Sequence, residues 1–182
     1  VAQHYKKIFD SVAVSGFEIV GICDPNKKAR EVFTKHWLCS GYDDISDLLK
    51  NSLPDLVIVL TPSGMHYKHV KIALDLNYHV LVEKPATMNP NDSKKLVEIA
   101  NKKKLMLGVS FQNRLNPAVR CLAKAVFDNR FGKITTATIR LRWCRYQDYY
   151  DDDWHGTWEK DGGVINQQAI HHVDALSWLM GP

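Results

Sequence analysis

Two residues far apart in this sequence have the side chains and settings for acid–base chemistry. Lys84 ends the run Tyr78-His79-Val80-Leu81-Val82-Glu83 and is followed by Pro85. A short apolar run bounded by polar residues and a proline reads as a strand buried on both faces, as in a parallel sheet. Ligands of open α/β sheets bind beyond the carboxyl ends of the strands. Lys84 therefore leaves the sheet where a ligand is expected. The proline ends the strand and holds Lys84 near the extended backbone region. The plain alternative is a surface lysine after a strand.

The second residue is His171. Gln167 lies four positions before it, so the two share one face of a helix. Asp174, three positions beyond, could orient the imidazole. Ile165, Ala169, Val173 and Leu176 mark the opposite side. A histidine between an amide and a carboxylate, on a helix opened by Gly162-Gly163, is a candidate general acid or base. A partly buried structural histidine is the alternative. Adjacent His171 and His172 point about 100° apart on a helix, so metal binding is not expected.

These residues need elements to hold them. The first is a helix over residues 2–14, with Tyr5, Ile8, Phe9 and Val12 as its apolar face. A strand follows over 17–23 and ends at Asp24-Pro25, and Asn26 can cap a helix to about Trp37. A short element near 38–42 and a helix over 44–50 come next. Residues 55–60 read as a buried strand, and Ser63 can cap a helix over 64–76. After the strand that carries Lys84 come a helix over 91–103 and a strand over 105–110. Strands alternating with helices indicate βαβ units and a parallel sheet. Beyond Pro117 the pattern changes. A helix over 118–129 precedes residues 133–143, whose alternation suits a strand with one buried face. The reading is thus one α/β domain over 1–116 and the start of a second over 117–182. A polar aromatic loop, residues 144–161, leads into the last helix, residues 164–180.

In such a parallel fold, an acidic residue at the end of the second strand holds the adenosine ribose of a dinucleotide. Asp24 occupies such a place. Its carboxylate would repel a 2′-phosphate, which favours NAD over NADP, although Lys27 and Lys28 soften that discrimination. A turn-forming Asp-Pro is the alternative. The first strand and its Gly-rich phosphate loop would precede the first helix and are expected to lie outside this sequence.

Composition narrows the classes. The 182 residues are 45% hydrophobic and 24% charged, with a formal charge of +4, as in an ordinary soluble globular protein. The tightest basic run, Lys102-Lys103-Lys104, suits a solvated helix end, and no basic and aromatic interleaving suggests nucleic-acid binding. No stretch has the length of a membrane span. The four cysteines, Cys23, Cys39, Cys121 and Cys144, lack metal-ligand spacing. They suit free thiols in a reducing cytoplasm.

Taken together, ICDP (22–25), TPSGMH (61–66), VLVEKP (80–85), FQNR (111–114) and DGGVINQQAIHHVDAL (161–176) resemble the Gfo/Idh/MocA oxidoreductase family. The resemblance implies a Rossmann-type domain, with its first strand missing here, followed by the start of an α/β domain with an open mixed sheet. It implies hydride transfer between a sugar, sugar-nucleotide or cyclitol hydroxyl and NAD, in a protein that is a homo-oligomer at full length. By position, Asp24, Thr61, Pro62, His66, Glu83 and Lys84 would line the cofactor. Lys84 and His171 would be catalytic. Gln112, Arg114, Trp154, Gln167 and His171 would meet the substrate. Many members carry Asp where this chain has Gln167. An amide cannot raise the basicity of His171 as a carboxylate would. That departure leaves open a non-catalytic member that binds a nucleotide or a partner, and the expected truncation leaves open an inactive fragment. The Tyr149-Tyr150…Trp154-His155-Gly156-Thr157-Trp158 loop is similar to members acting on nucleotide-linked sugars, such as UDP-N-acetylhexosaminuronate 3-dehydrogenases, where Arg142 and Arg145 could meet acidic groups. Inter-subunit packing is the other use for these aromatics.

Overall fold

The computed structural model describes residues 1–11, 16–152 and 154–181. Its elements run α1 (Ala2–Phe9), β1 (Gly21–Cys23), α2 (Lys27–Trp37), β2 (Ser40–Tyr42), α3 (Ile45–Ser52), β3 (Leu56–Val59), α4 (His66–Asp75), β4 (His79–Val82), α5 (Pro90–Lys103), β5 (Leu107–Val109), α6 (Pro117–Phe127) and α7 (Ile170–Met180). All strand pairs are parallel, so the fold is α/β of the Rossmann type. β1 pairs with β2, and β3, β4 and β5 form a second sheet in that order. β1 and β3 are not paired with each other. In the doubly wound order, one further strand lies between the two that flank this split.

The core forms on one face of the three-stranded sheet. Val57 and Val59 of β3 lie in register with Val80 and Val82 of β4. These valines pack with Val70, Ala73 and Leu74 of α4, Leu96 and Ala100 of α5, and Leu48 and Leu49 of α3. Each fully buried Val or Leu contributes roughly 1.5–3 kcal/mol relative to exposure. The other face, with Leu81, looks onto a groove shared with His4, Tyr5 and Ile8 of α1. β4 is therefore fully buried on one face only, because Leu81 is just half-buried.

Side-chain caps set several helix starts. Asn26 accepts the amides of Lys28 and Ala29, Asp44 accepts that of Ser46, and Asn89 accepts that of Asn91 ahead of Pro90 at the first turn of α5. Such caps are each worth about 1 kcal/mol.

The elements depart from the sequence reading at several points. α1 stops at Phe9, and the rest of the expected helix falls partly on residues 12–15, outside the described residues. The strand expected over 17–23 is only Gly21–Cys23, because β2 offers a ladder of just three residues. Ser63 caps nothing; it opens a 3-10 turn, Ser63–Met65, ahead of α4. Residues 134–146 carry no strand. An antiparallel strand needs a partner, and no described strand lies beside them. The last helix opens with a π-turn, Ile165–Ala169, ahead of α7.

Candidate active site

The site is assembled where β4 ends. Glu83 continues the sheet by donating its amide to Val59 O at 3.0 Å. Its Oε1 accepts the Tyr5 hydroxyl at 2.9 Å, and its Oε2 accepts the Lys84 amide at 3.2 Å. The Tyr5 oxygen also meets Ser110 Oγ at 2.8 Å, at the exit of β5. Burial, helped by the Glu83 carboxylate, pushes the Tyr5 phenol up to about 12. It stays a hydrogen-bond donor throughout the neutral range. The Lys84–Pro85 peptide is cis.

Lys84 reaches 83 residues ahead in the chain. Its ammonium donates to the backbone oxygen of Gln167 at 2.7 Å and to Gln167 Oε1. Gln167 is 6% exposed and lies in the middle of the π-turn. π-turns take a carbonyl out of the regular helical ladder and occur often at functional sites. Here the backbone oxygen of that turn receives the ammonium. Burial lowers the Lys84 pKa, and the negative charges of Glu83 and Asp161 partly offset that effect.

His171 follows on the same helix. It is buried, Phe111 packs edge-on to its ring at 6.1 Å, and its Nδ1 has no hydrogen-bond partner. Burial lowers its pKa first, and the Lys84 charge lowers it further. A neutral imidazole beside an ammonium can accept a proton while the ammonium polarises the same hydroxyl.

Asp174 does not orient this ring. Arg114 takes both its oxygens, Nε to Oδ2 at 2.7 Å and Nη2 to Oδ1 at 2.6 Å, and the guanidinium lies over Trp178. Arg114 therefore ties the turn after β5 to α7. Its neighbour Gln112 is exposed and lines the groove with Tyr5, Glu83 and Phe111.

The remaining residues fall in three places. Thr61 Oγ1 meets His69 Nδ1 at 3.1 Å, and Pro62 leads into the 3-10 turn. His66 is 1% exposed, with Nε2 2.7 Å from Thr61 O and Nδ1 2.6 Å from Pro85 O. Both its nitrogens thus face backbone carbonyls, so the ring braces the loops after β3 and β4 and offers no nitrogen to a ligand. Asp24 stands apart, at the end of β1. Its Oδ1 accepts the Asn26 amide at 2.8 Å, and its Oδ2 has no partner among the described residues. A free carboxylate oxygen at that strand end fits the ribose hydroxyls of a dinucleotide.

Trp154 is one step removed from the site. It stacks on His155, which stacks on Tyr149, whose hydroxyl accepts from Gln168 Nε2 at 2.8 Å. Arg145 lies over Trp143 and Tyr149, with Nη2 3.4 Å from Gln168 Oε1. Sequence reasoning missed Tyr5, Phe111, Gln168 and Asp161. Only Asp161 carried a local signal. It precedes Gly162 and Gly163, which have φ of 74° and 77°, a backbone state that glycine adopts freely. Among the described residues, no group of His, Cys, Asp and Glu could hold a metal ion. No described helix is long and apolar enough to cross a membrane.

Known proteins share this fold. The chain is 35% identical to the WlbA dehydrogenase of Chromobacterium violaceum, solved in complex with NADH and UDP-GlcNAcA. That match has a TM-score of 0.94 and covers 100% of this chain and 52% of the other. The WlbA dehydrogenase of Bordetella pertussis, in complex with the same two ligands, matches at 34% identity and a TM-score of 0.88, over 100% of this chain and 54% of its own. The D-glucoside 3-dehydrogenase of Escherichia coli is 30% identical over 169 residues, 90% of this chain and 47% of that protein. The chain thus spans about half the length of these relatives. Residues 2–111 match the oxidoreductase family, NAD-binding Rossmann fold, and residues 119–182 match the GFO/IDH/MocA C-terminal domain. With both models matched in order along one Rossmann-type chain, the protein belongs to the GFO/IDH/MocA oxidoreductase family, and its cofactor is NAD.

Proposed function

We propose that the full-length protein moves a hydride between a ring hydroxyl of a sugar nucleotide and NAD, acting on a UDP-linked N-acetylhexosaminuronate. The observation that carries this reading is the meeting of Lys84 and Gln167 one helical turn before His171. Bound NAD supplies the hydride acceptor. Lys84 hydrogen-bonds the substrate hydroxyl and stabilises the negative charge that develops on its oxygen. His171, held neutral by burial, removes the hydroxyl proton. Gln167 orients the lysine and a neighbouring hydroxyl. Asp24 holds the adenosine ribose and disfavours a 2′-phosphate, so NAD is preferred over NADP.

The substrate class has separate support. Two relatives at 34% and 35% identity are described with NADH and UDP-GlcNAcA. In this chain, Arg145, Tyr149 and Trp154 belong to the loop that borders Gln168. Guanidinium groups there suit a uronate or a diphosphate. The four free cysteines suit a cytoplasmic setting. Exposed Trp143, Tyr146 and Trp158 suit contacts between subunits of a homo-oligomer.

The test is NADH formation by the full-length protein with UDP-GlcNAcA, UDP-GlcNAc and free hexoses, with NAD and NADP compared. Turnover is expected with the acidic sugar nucleotide and NAD, and Lys84→Met should abolish it. Absence of turnover with every sugar nucleotide, from a folded protein that binds NADH, would discard the proposal.

A further inference from the structure

Among the described residues, two arginines lie over aromatic rings, and only one of them has a counter-ion. Arg114 lies over Trp178 and gives its fork to Asp174. Arg145 is held by two rings, with its guanidinium 5.2 Å from the centroid of Trp143 and 5.3 Å from that of Tyr149. No ion pair of the described residues includes it. Nη1 donates to the neighbouring Cys144 carbonyl at 3.0 Å, and Nη2 reaches Gln168 Oε1 at 3.4 Å. A guanidinium carries five N–H donors, so donors remain for an anion. Aromatic walls on this cation fix it in place before any ligand arrives, which lowers the ordering cost of binding.

The neighbouring groups suit the same kind of ligand. Gln168 Nε2 donates to the Tyr149 hydroxyl at 2.8 Å, so the phenol oxygen is an acceptor there and its own proton meets no acceptor among the described residues. Burial raises the Tyr149 pKa, so that proton stays in place near neutral pH. One peptide ties this cluster to the reaction. Lys84 Nζ donates to the backbone oxygen of Gln167 at 2.7 Å. The nitrogen of that same peptide belongs to Gln168, whose side chain holds Arg145. This adjacency favours a group carried directly on the reacting ring over the diphosphate, which the anomeric oxygen holds off the ring. A flat carboxylate also matches the flat guanidinium fork.

We infer that Arg145, held by Trp143, Tyr149 and Gln168, is the specificity-determining residue that receives the ring carboxylate of a uronate substrate. The inference rests on the sugar-nucleotide reading of this site and names the residue that selects the acid. A neutral hydroxymethyl group at that carbon would receive only an uncharged acceptor's share of the same donors.

The test is equilibrium binding to the full-length protein saturated with NADH, where no hydride acceptor is present and turnover cannot intervene. UDP-GlcNAcA and UDP-GlcNAc differ only at the carbon in question, and UDP reports the diphosphate. Arg145→Met should weaken UDP-GlcNAcA by about tenfold or more, as for a lost charge-assisted hydrogen bond, while UDP-GlcNAc and UDP change by less than about twofold. Arg145→Lys should fall between, because it keeps the charge and loses the fork. Both variants should keep the wild-type affinity for NADH, and if Met fails to fold, Lys carries the same comparison. A parallel loss for all three ligands would place the guanidinium on the diphosphate and overturn the assignment. Unchanged UDP-GlcNAcA affinity in a folded variant would overturn it too. A wild type that binds none of the three would discard the sugar-nucleotide reading as well. Tight binding without turnover would count against the proposed reaction alone and leave the assignment of Arg145 standing.

Discussion

Tyr5 donates its hydroxyl to Glu83 Oε1 at 2.9 Å, although 78 residues separate them. The bond links α1 to the corner that aims Lys84, because Glu83 Oε2 accepts the Lys84 amide. Position, not reactivity, is what the phenol contributes, since it remains protonated up to about pH 12.

Tyr5→Phe should therefore weaken the full-length protein without unfolding it. It removes a hydroxyl that meets both Glu83 and Ser110 and leaves a half-buried carboxylate oxygen under-satisfied. The expected loss is about 1–2 kcal/mol in urea unfolding. A variant as stable as the wild type would mean that Glu83 finds another donor at no cost.

The sheet and helices were legible because their signals are local. The valines of β3 and β4 and Asn26 before α2 state their roles within a few residues. The Lys84–Gln167 contact could not be read from spacing alone. Gln167 and His171 suit a regular helix equally well, so nothing in a 3.6-residue period announces a π-turn. Tyr5 was legible only as one more member of an apolar face, because its partner lies on another element. Asp174 shows the reverse error. Its spacing from His171 is right for a helical pair, but the guanidinium of Arg114, from a different segment, takes both its oxygens.

The pH dependence of stability has a definite sign. Burial lowers His69, and burial with the Lys84 charge lowers His171. A histidine with a depressed folded pKa stabilises the fold while it is neutral. That contribution is complete above the unfolded value of about 6.5 and is lost as pH falls through the folded value. Melting temperature should fall as pH drops below about 6.5, and His171→Gln should fall less steeply than the wild type. By the same sign, the acid limb of kcat/KM for alcohol oxidation should lie below the ordinary histidine range. A melting profile unchanged by His171→Gln would show that this ring is not coupled to folding.

Arg114 separates a structural clamp from a substrate contact. Its fork is matched to Asp174, whose side chain is only 10% exposed. Lysine keeps the charge but cannot form the bidentate pair or the same stack on Trp178. Arg114→Lys should cost about 1–2 kcal/mol of stability. KM for the sugar nucleotide should stay within about twofold, because a lost structural pair leaves uniform substrate binding intact. A large rise in KM with unchanged stability would instead place Arg114 against the substrate.

Gly64 tests whether the 156–161 loop is seated as tightly as the backbone contacts imply. Its amide donates to Lys160 O at 3.1 Å, and a Cβ built on it would lie 2.2 Å from the Glu159 carbonyl oxygen. The obstacle is backbone, so no rotamer change can relieve it. Gly64 is absent from the residues with positive φ, so alanine suits its conformation and would by itself favour the turn. Any loss on Gly64→Ala therefore reports the clash. The expected cost is about 1–3 kcal/mol, with faster proteolytic cleavage within residues 156–160 than in the wild type. Stability equal to or above the wild type, with no change in cleavage, would show that the loop stands clear of the β3 exit and that alanine has merely stiffened the turn.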